Sequence, residues 1–348
     1  MKNILPISYP SITSYPGRAN IYAISENDPV TRSWIMENYV QTESLYLEER
    51  LVCDIDFFIP PTILYRNHSA LETQYVFNPY LEIMTIDSKT IGEENILDFI
   101  VSNIDREYYL NIDINTSFIS VYQRESLHPI FVYGYDREKS IFYVADFFKN
   151  GKYSFSECSF FEMKNAVKNY NLSLQSWDGV NHENSLISLV KIRKHFSHSF
   201  SVDRLKTSLL NYLNISSNMK EIFSATNKFT EETAYRKFGN MHYDNLQQYI
   251  CRCIDLGVIF NNFRVFHVFY DHKIALSQRI KYLAEQGYDC EFLIPEIDDL
   301  VRKALIMRNV IIKEALRQSV NLQKLIPQLS SMKVEESNIL LKLIKIIE

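Results

Sequence analysis

The stretch HPIFVYGYDREKSIFYVADFF, residues 128–148, has a histidine at its start and an aspartate near its end, and both side chains can accept and donate a proton. Its apolar halves predict two strands, and DREKS (136–140) predicts the loop between them. Position 146 then lies opposite position 130, so His128 and Asp146 share one face of the hairpin, about 7–8 Å apart between backbones. A carboxylate that orients an imidazole is the supporting half of a nucleophile–His–Asp arrangement. The alternative is an ordinary hairpin with a histidine at a strand end and a solvated aspartate.

The segments around this hairpin predict a mixed α+β region. The turn at Pro16-Gly17 leads into a short helix, and EENILDFIVSNIDREY (93–108) and FFEMKNAVKNY (160–170) have helical spacing of apolar residues. YYLNIDIN (108–115) alternates and predicts a half-buried strand. Gly134, inside the hairpin, predicts a bulge or a close backbone approach.

From about residue 200 the pattern changes to five amphipathic helical runs. Gly257 and Gly287 stand just past two of them, as C-terminal caps do. We therefore predict an α+β domain at 1–185 and an all-helical domain at 195–348, with the boundary near SWDGVNHENS. One helical stripe is predicted to be buried: Leu300, Ala304, Ile311 and Ala315.

Composition limits the partners and the compartment. The 348 residues are 46% apolar and 23% charged with a net charge of −5, so no global field attracts nucleic acid or an anionic membrane. No stretch approaches the ~18 apolar residues of a membrane span. Five cysteines without a framework spacing, and an N-terminus interrupted by prolines, predict a cytoplasmic protein. His195 and His198 lack further ligands and no glycine-rich phosphate loop is present, so we expect no metal and no cofactor.

The block 128–155 resembles known families. The order of a helix, two strands and then HPIFVYGYD…FYVADFF is similar to the papain-like fold of the bacterial double-glycine peptidases. More specifically, it resembles the butirosin biosynthesis protein H family, over roughly residues 1–175. The resemblance implies a papain-like domain, a carrier-protein thioester as acyl donor and a small-molecule acceptor. It also implies that His128 is the general base and Asp146 orients it.

The nucleophile is where the sequence departs from both families. They carry a cysteine at the start of the first helix, but this chain has TSYPGRANIYAI there. Ser14 is the nearest nucleophile, Cys53 is a second candidate, and loss of the chemistry is a third interpretation. Three tyrosines are candidate substrate-pocket walls: Tyr15, Tyr122 and Tyr133.

Two functions therefore remain open from the sequence. The first is an acyl- or peptidyl-transfer enzyme of secondary-metabolite biosynthesis, of the nonribosomal-peptide type. The second is an inactive accessory protein of the same pathway that keeps the cleft for binding. A regulatory binding module, with the helical half as partner surface, is a weaker third. The sequence does not specify the oligomeric state.

Overall fold

The computed structural model describes residues 1–58, 78–148, 151–170, 184–213, 236–260 and 262–348. Two compact units divide the chain. The first comprises Met1–Arg32 with Leu64–Ser197, and the second comprises Ser33–Ile63 with His198–Glu348. The first combines helices with an antiparallel sheet, and the C-terminal region is mainly helical, which confirms the α+β class.

The first unit is built on a sheet of seven strands, all paired antiparallel. The strands are β1 (Lys2–Ile4), β4 (Leu81–Asp87), β5 (Tyr109–Asn115), β6 (Leu127–Asp136), β7 (Ile141–Phe147), β8 (Tyr153–Ser159) and β9 (Leu186–Ile192). Their order in the sheet is β4-β9-β5-β6-β7-β8, and β1 pairs with the far end of β6.

Helices cover both faces of this sheet. Helix α1 (Pro16–Ser25) starts with a proline at its first position, where no backbone N–H is needed. A four-residue α3 (Ser88–Ile91) follows β4, and a capping box at Ser159 starts α5 (Phe160–Lys168). The remaining helix of this unit is α4 (Ile96–Asp105).

The central strand β5, which lies between β9 and β6, differs from its prediction because side chains on both of its faces are buried. Leu110, Ile112 and Ile114 are fully buried, as expected for one face. Asn111 and Asn115 on the other face are also buried, at 3% and 5% exposure. The prediction of a half-buried strand is therefore wrong, because α1 covers the face that the alternating pattern assigned to solvent.

The β6–β7 hairpin has a tighter turn than predicted and a bulge. Asp136 pairs with Ile141, so the loop is one residue shorter than DREKS. The register then shifts between Val132 and Gly134, which leaves Tyr133 as the extra residue. A Cβ at Gly134 would lie 2.8 Å from the carbonyl oxygen of Asn3 on β1. Both predicted roles of Gly134, bulge and close approach, are confirmed.

The second unit packs helices on a three-stranded antiparallel sheet of order β10-β2-β3. Its strands are β2 (Thr42–Leu47), β3 (Val52–Phe57) and β10 (Arg236–Phe238). The helix α2 (Pro29–Asn38) crosses the division between the units. The others are α6 (Val202–Tyr212), α7 (His242–Leu256), α8 (Phe263–Glu285), α9 (Ile294–Leu316) and α10 (Leu325–Ile346).

The helical predictions for this unit largely hold. Gly257, the C-cap of α7, has a φ of 61°, and Gly287 just past α8 has a φ of 90°, in the region that glycine adopts without steric cost. The predicted stripe on α9 is buried at Leu300, Ala304 and Ile311, and Ala315 is half-buried.

The domain ranges 1–185 and 195–348 stay a prediction, and the compact units differ from them in one segment. Ser33–Ile63 belongs with the C-terminal residues, because β2 pairs with β10 and with β3. The expected boundary stretch SWDGVNHENS falls largely outside the described residues.

Candidate functional site

The imidazole and the carboxylate predicted to work together are in contact. His128 begins β6 and Asp146 lies near the end of β7, and Nδ1 of His128 is 2.8 Å from Oδ2 of Asp146. Nδ1 is also 2.9 Å from the carbonyl oxygen of Pro129. The Asp146 side chain is 1% exposed and that of His128 is 14% exposed. The expected geometry of this pair is confirmed, and its catalytic role stays a prediction.

The charge of Asp146 governs the protonation of His128. Burial, the largest influence, would lower the pKa of His128. The Asp146 carboxylate, its hydrogen bond and the hydrogen bond to Pro129 act in the opposite direction, and the net effect raises the pKa. A raised pKa favours the imidazolium, which a neighbouring carboxylate stabilises.

Tyr122 is a further part of the immediate environment of the pair. Its hydroxyl donates a hydrogen bond to Oδ2 of Asp146, and its ring centroid lies 6.3 Å from that of His128. Burial, and then the nearby Asp146 charge, raise the pKa of Tyr122 well above its ordinary value, so the phenol remains a donor. Phe148 packs edge-on against the same ring, at 5.1 Å. The prediction that Tyr122 lies at the site is therefore supported by contacts.

One oxygen of Asp146 remains unsatisfied. Oδ1 is buried and accepts no hydrogen bond within the described residues. An unsatisfied buried acceptor costs about 1–3 kcal/mol, and such atoms call for a specific explanation. The His128–Asp146 pair therefore has one buried acceptor without a hydrogen bond among the described residues, whereas a purely structural ion pair is expected to have all its buried polar atoms hydrogen-bonded.

The pairing register assigns the pair to one face of the sheet. Side chains alternate between the faces along a strand, and paired residues share a face. The histidine face carries Ile112, Ile130, Val132, Val144 and Asp146 with His128. Helix α5 lies on this face, because Phe160 contacts Phe142 at 4.5 Å.

Helix α1 makes its polar contacts with the opposite face. The side chain of Asn20 donates to Oδ1 of Asn111 at 2.8 Å and accepts from the hydroxyl of Tyr153 at 2.8 Å. Asn111 and Tyr153 alternate with the residues of the histidine face, so they point to the other side. The families that the sequence resembles carry their nucleophile at the start of the first helix, whereas the contacts of the middle turn of α1 are with the face opposite His128.

Ser14 is not joined to the histidine. Its Oγ is buried and forms no hydrogen bond with the described residues, which include His128, so the Ser14–His128 hydrogen bond that would activate a serine is not formed. Tyr15, at the N-cap of α1, lies beside Arg18, whose guanidinium is 5.9 Å from its ring. The assigned roles of Ser14 and Tyr15 stay predictions without a described contact to the pair.

Tyr133 lies with the other group of aromatic side chains. As the bulged residue it stacks near Phe131, with centroids 6.5 Å apart, and it meets Phe155 at 5.7 Å. Both neighbours belong to the face opposite His128. Its contacts therefore do not support Tyr133 as a wall of a pocket at the pair. Tyr133 stands two residues after Phe131, so the alternation of side chains along β6 already directs it away from the histidine face.

The environments of Cys53 and Cys158 do not activate their thiols. Cys53 is fully buried on β3 in the second unit, and burial raises the pKa of its thiol far above the ordinary value. Burial likewise raises the pKa of Cys158. All five cysteines are free. A thiol with a raised pKa is a poor nucleophile near neutral pH, so Cys53 does not replace the missing cysteine by its local chemistry.

A second polar cluster, in the second unit, was missed by the sequence reasoning. Lys273 on α8 and Glu336 on α10 form an ion pair in which both side chains are fully buried. Glu336 also accepts from the hydroxyls of Tyr212 and Tyr243. Charged residues on the buried stripes of α8 and α10 were the available signal. The described residues contain no group of three or more His, Cys, Asp or Glu side chains able to hold a metal ion.

Comparisons with known proteins do not assign a family. No protein-family model matches the chain. No curated protein matches it either. In the part of the chain that the structure describes, no helix has the length and apolar character required to cross a membrane.

Proposed function

We propose that the chain is an acyl- or peptidyl-transfer enzyme of secondary-metabolite biosynthesis, similar to the butirosin biosynthesis protein H family. The donor is a thioester on a carrier protein, and the acceptor is a small molecule with an amine or hydroxyl group. The observation that supports this proposal is the 2.8 Å contact between His128 and Asp146 on adjacent strands. The free cysteines fit a cytoplasmic setting.

A thioester substrate allows this pair to work without a nucleophile from the protein. His128 removes the proton as the acceptor N–H or O–H attacks the thioester carbonyl. The new C–N or C–O bond forms, the C–S bond breaks, and the imidazolium returns the proton to the leaving thiolate. Asp146 positions the ring and stabilises the imidazolium. If Ser14 is instead the nucleophile, it carries the acyl group between these two transfers.

The papain-like architecture is part of the same proposal. It is supported by the antiparallel sheet with a histidine and an aspartate on neighbouring strands. The contacts of Asn20 with the face opposite the pair are a departure from the expected position of the first helix. For this reason we favour the direct transfer over a serine acyl-enzyme.

The experiment deletes the gene in its native host and restores it as wild type, His128→Ala or Ser14→Ala. Product is measured by mass spectrometry, and each purified variant is melted to verify folding. Direct transfer predicts that wild type and Ser14→Ala restore the lost metabolite, while His128→Ala restores less than about 1%, since general-base catalysis contributes about 10²–10⁴-fold. Loss with both variants supports Ser14 as nucleophile.

The second candidate is an inactive accessory protein that uses the same cleft for binding. The observation that favours it is that Ser14 Oγ is buried and makes no hydrogen bond with the described residues, near the position at which the families that the chain resembles carry their nucleophile. An accessory protein predicts full metabolite recovery with a well-folded His128→Ala variant, and that result would refute the enzyme proposal.

A further inference from the structure

Two donors share one oxygen of the Asp146 carboxylate. Nδ1 of His128 lies 2.8 Å from Oδ2, and the hydroxyl of Tyr122 donates to the same atom. The other oxygen, Oδ1, accepts no hydrogen bond within the described residues. The terminal torsion of an aspartate side chain has a broad range, so the donors around the carboxylate decide its orientation. The Tyr122 hydroxyl therefore helps to fix the orientation in which Asp146 meets His128.

The ring nitrogen of His128 that faces Asp146 has a second acceptor within reach. Nδ1 lies 2.8 Å from Oδ2 of Asp146 and 2.9 Å from the carbonyl oxygen of Pro129. Because both neighbours are acceptors, Nδ1 carries the proton, and one N–H cannot point directly at two oxygens. The carboxylate is the stronger acceptor because it is charged. It keeps this advantage only while its position is fixed, since a displaced carboxylate would leave the N–H to Pro129.

The loop that carries Tyr122, between β5 and β6, is held on both sides of this residue. At its base, the backbone N–H of Thr116 donates to the backbone oxygen of Ser126 at 3.0 Å, and the Ser126 N–H donates to Oγ1 of Thr116 at 2.9 Å. Two residues before Tyr122, the backbone N–H of Ser120 donates to Oε1 of Glu162 in the first turn of α5, at 2.9 Å. Side chains whose supports are themselves hydrogen-bonded hold a site in its working geometry. The phenol of Tyr122 is therefore placed against Asp146 by an anchored loop.

We propose that Tyr122 is a positioning residue for the His128–Asp146 pair: its hydroxyl holds the Asp146 carboxylate against Nδ1 of His128, which leaves Nε2 as the proton-exchanging nitrogen. The consequence for catalysis rests on the proposed acyl transfer, in which Tyr122 acts through Asp146 and not as a wall of the substrate pocket. A pocket wall depends on the aromatic ring, whereas a positioning residue depends on the hydroxyl. Tyr122→Phe keeps the ring and removes the hydroxyl, so it separates the two roles.

The test is NMR of the full chain with histidine labelled in the ring, in wild type, Tyr122→Phe and Asp146→Asn. In Tyr122→Phe, the Nδ1 proton of His128 should exchange with water about tenfold faster than in wild type or more, because a hydrogen bond to a charged group has about that value. The pKa of His128 should fall from its wild-type value toward that of Asp146→Asn, because the carboxylate that raises it is no longer held in place. Unchanged proton exchange and pKa would overturn the proposal. A pKa above the wild-type value would also overturn it, since the hydroxyl would then only weaken the charge of Asp146.

The matched control is Tyr108→Phe, which removes a hydroxyl that donates to the carboxylate of Glu82. Tyr108 is half-buried like Tyr122, and Glu82 lies on β4, three strands from β6 in the sheet order. This variant should leave the His128 proton exchange and pKa at their wild-type values, and equal changes in both variants would overturn the proposal. Melting of each variant verifies folding. A second measurement needs no variant: in wild type with tyrosine labelled at the ring carbon that carries the hydroxyl, the Tyr122 hydroxyl proton should exchange slowly, and fast exchange would contradict the hydrogen bond.

Product formation in the native host separates this inference from the proposed function. Tyr122→Phe should restore less of the metabolite than Tyr108→Phe and more than His128→Ala, because the base remains but its partner is no longer held. If His128→Ala restores the full amount while the NMR changes occur as expected, the acyl-transfer proposal fails and the positioning of the pair by Tyr122 is supported. If His128→Ala abolishes the metabolite and Tyr122→Phe restores as much of it as Tyr108→Phe, the catalytic consequence of this positioning is refuted.

Discussion

Breaking the buried ion pair of the second unit should cost a large part of its stability. Lys273 and Glu336 are both fully buried. Tyr212 and Tyr243 donate to separate oxygens of Glu336, so Glu336→Gln keeps an acceptor for one of these hydroxyls and removes the charge opposite Lys273. Removing one partner of a buried pair costs about 3–5 kcal/mol, because the remaining charge is uncompensated. Burial also lowers the pKa of Lys273, against the effect of Glu336, so loss of the carboxylate further favours the neutral amine.

This cost corresponds to a measurable shift in melting. For a unit of this size, 1 kcal/mol corresponds to about 2–4 °C in Tm, so we expect a decrease of roughly 6–20 °C. Urea denaturation of wild type, Glu336→Gln, Lys273→Met and the double variant supplies a double-mutant cycle. The double variant should be no less stable than either single variant, because it contains no unpaired charge. Additive losses in the double variant would refute the reasoning.

Other predictions concern single positions. Gly134→Ala should destabilise the first unit by about 1–3 kcal/mol, measured by urea denaturation, because its Cβ would lie 2.8 Å from the carbonyl of Asn3; an unchanged midpoint would contradict it. Burial raises the pKa of Glu43 to about 7 although Arg236 lowers it, so its protonated form is stabilised by folding. The stabilisation of the folded state by protonated Glu43 is complete below about pH 4.5 and is lost as the pH rises through 7. Glu43→Gln should therefore be increasingly more stable than wild type as the pH rises from 5 to 8, by up to about 3 kcal/mol in the free energy of unfolding, and its Tm should rise accordingly. A stability difference between the two proteins that does not change with pH would contradict this. Ser14→Ala should leave Tm unchanged or higher, since its buried Oγ makes no hydrogen bond within the described part of the chain; a marked decrease in Tm would contradict this.

The elements with a strong local period were the predictable part of this fold. The helical runs after residue 200 became α6 to α10 where described, because apolar residues repeat at helical spacing over many turns. The stretch RSWIMENYVQTESLYLEE also has helical spacing, yet the helix ends at Asn38 and TESLYL forms β2. Pairing with β3 and β10 outweighs the local propensity there.

The contact between His128 and Asp146 depends on a feature that the sequence signals only weakly. The turn is one residue shorter than DREKS. If this register continued along the hairpin without a bulge, Asp146 would pair with Phe131 and lie on the face opposite His128. The bulge at Tyr133 restores the predicted pairing. Gly134 indicated such a bulge, but no local rule fixes its direction or extent. The position of α1 depends on Asn20 and its distant partners, which no spacing reveals.

The central claim is that Asp146 orients His128 and raises its pKa, which makes the neutral imidazole a stronger base. The direct measurement is an NMR pH titration of the His128 imidazole in wild type and in Asp146→Asn, with histidine labelled in the ring. The account predicts a pKa above the ordinary 6.5 in wild type, because the nearby carboxylate outweighs burial. It predicts a pKa below that of wild type in Asp146→Asn, where burial acts without the carboxylate. Equal pKa values in the two proteins, or a wild-type pKa below 6.5, would contradict it.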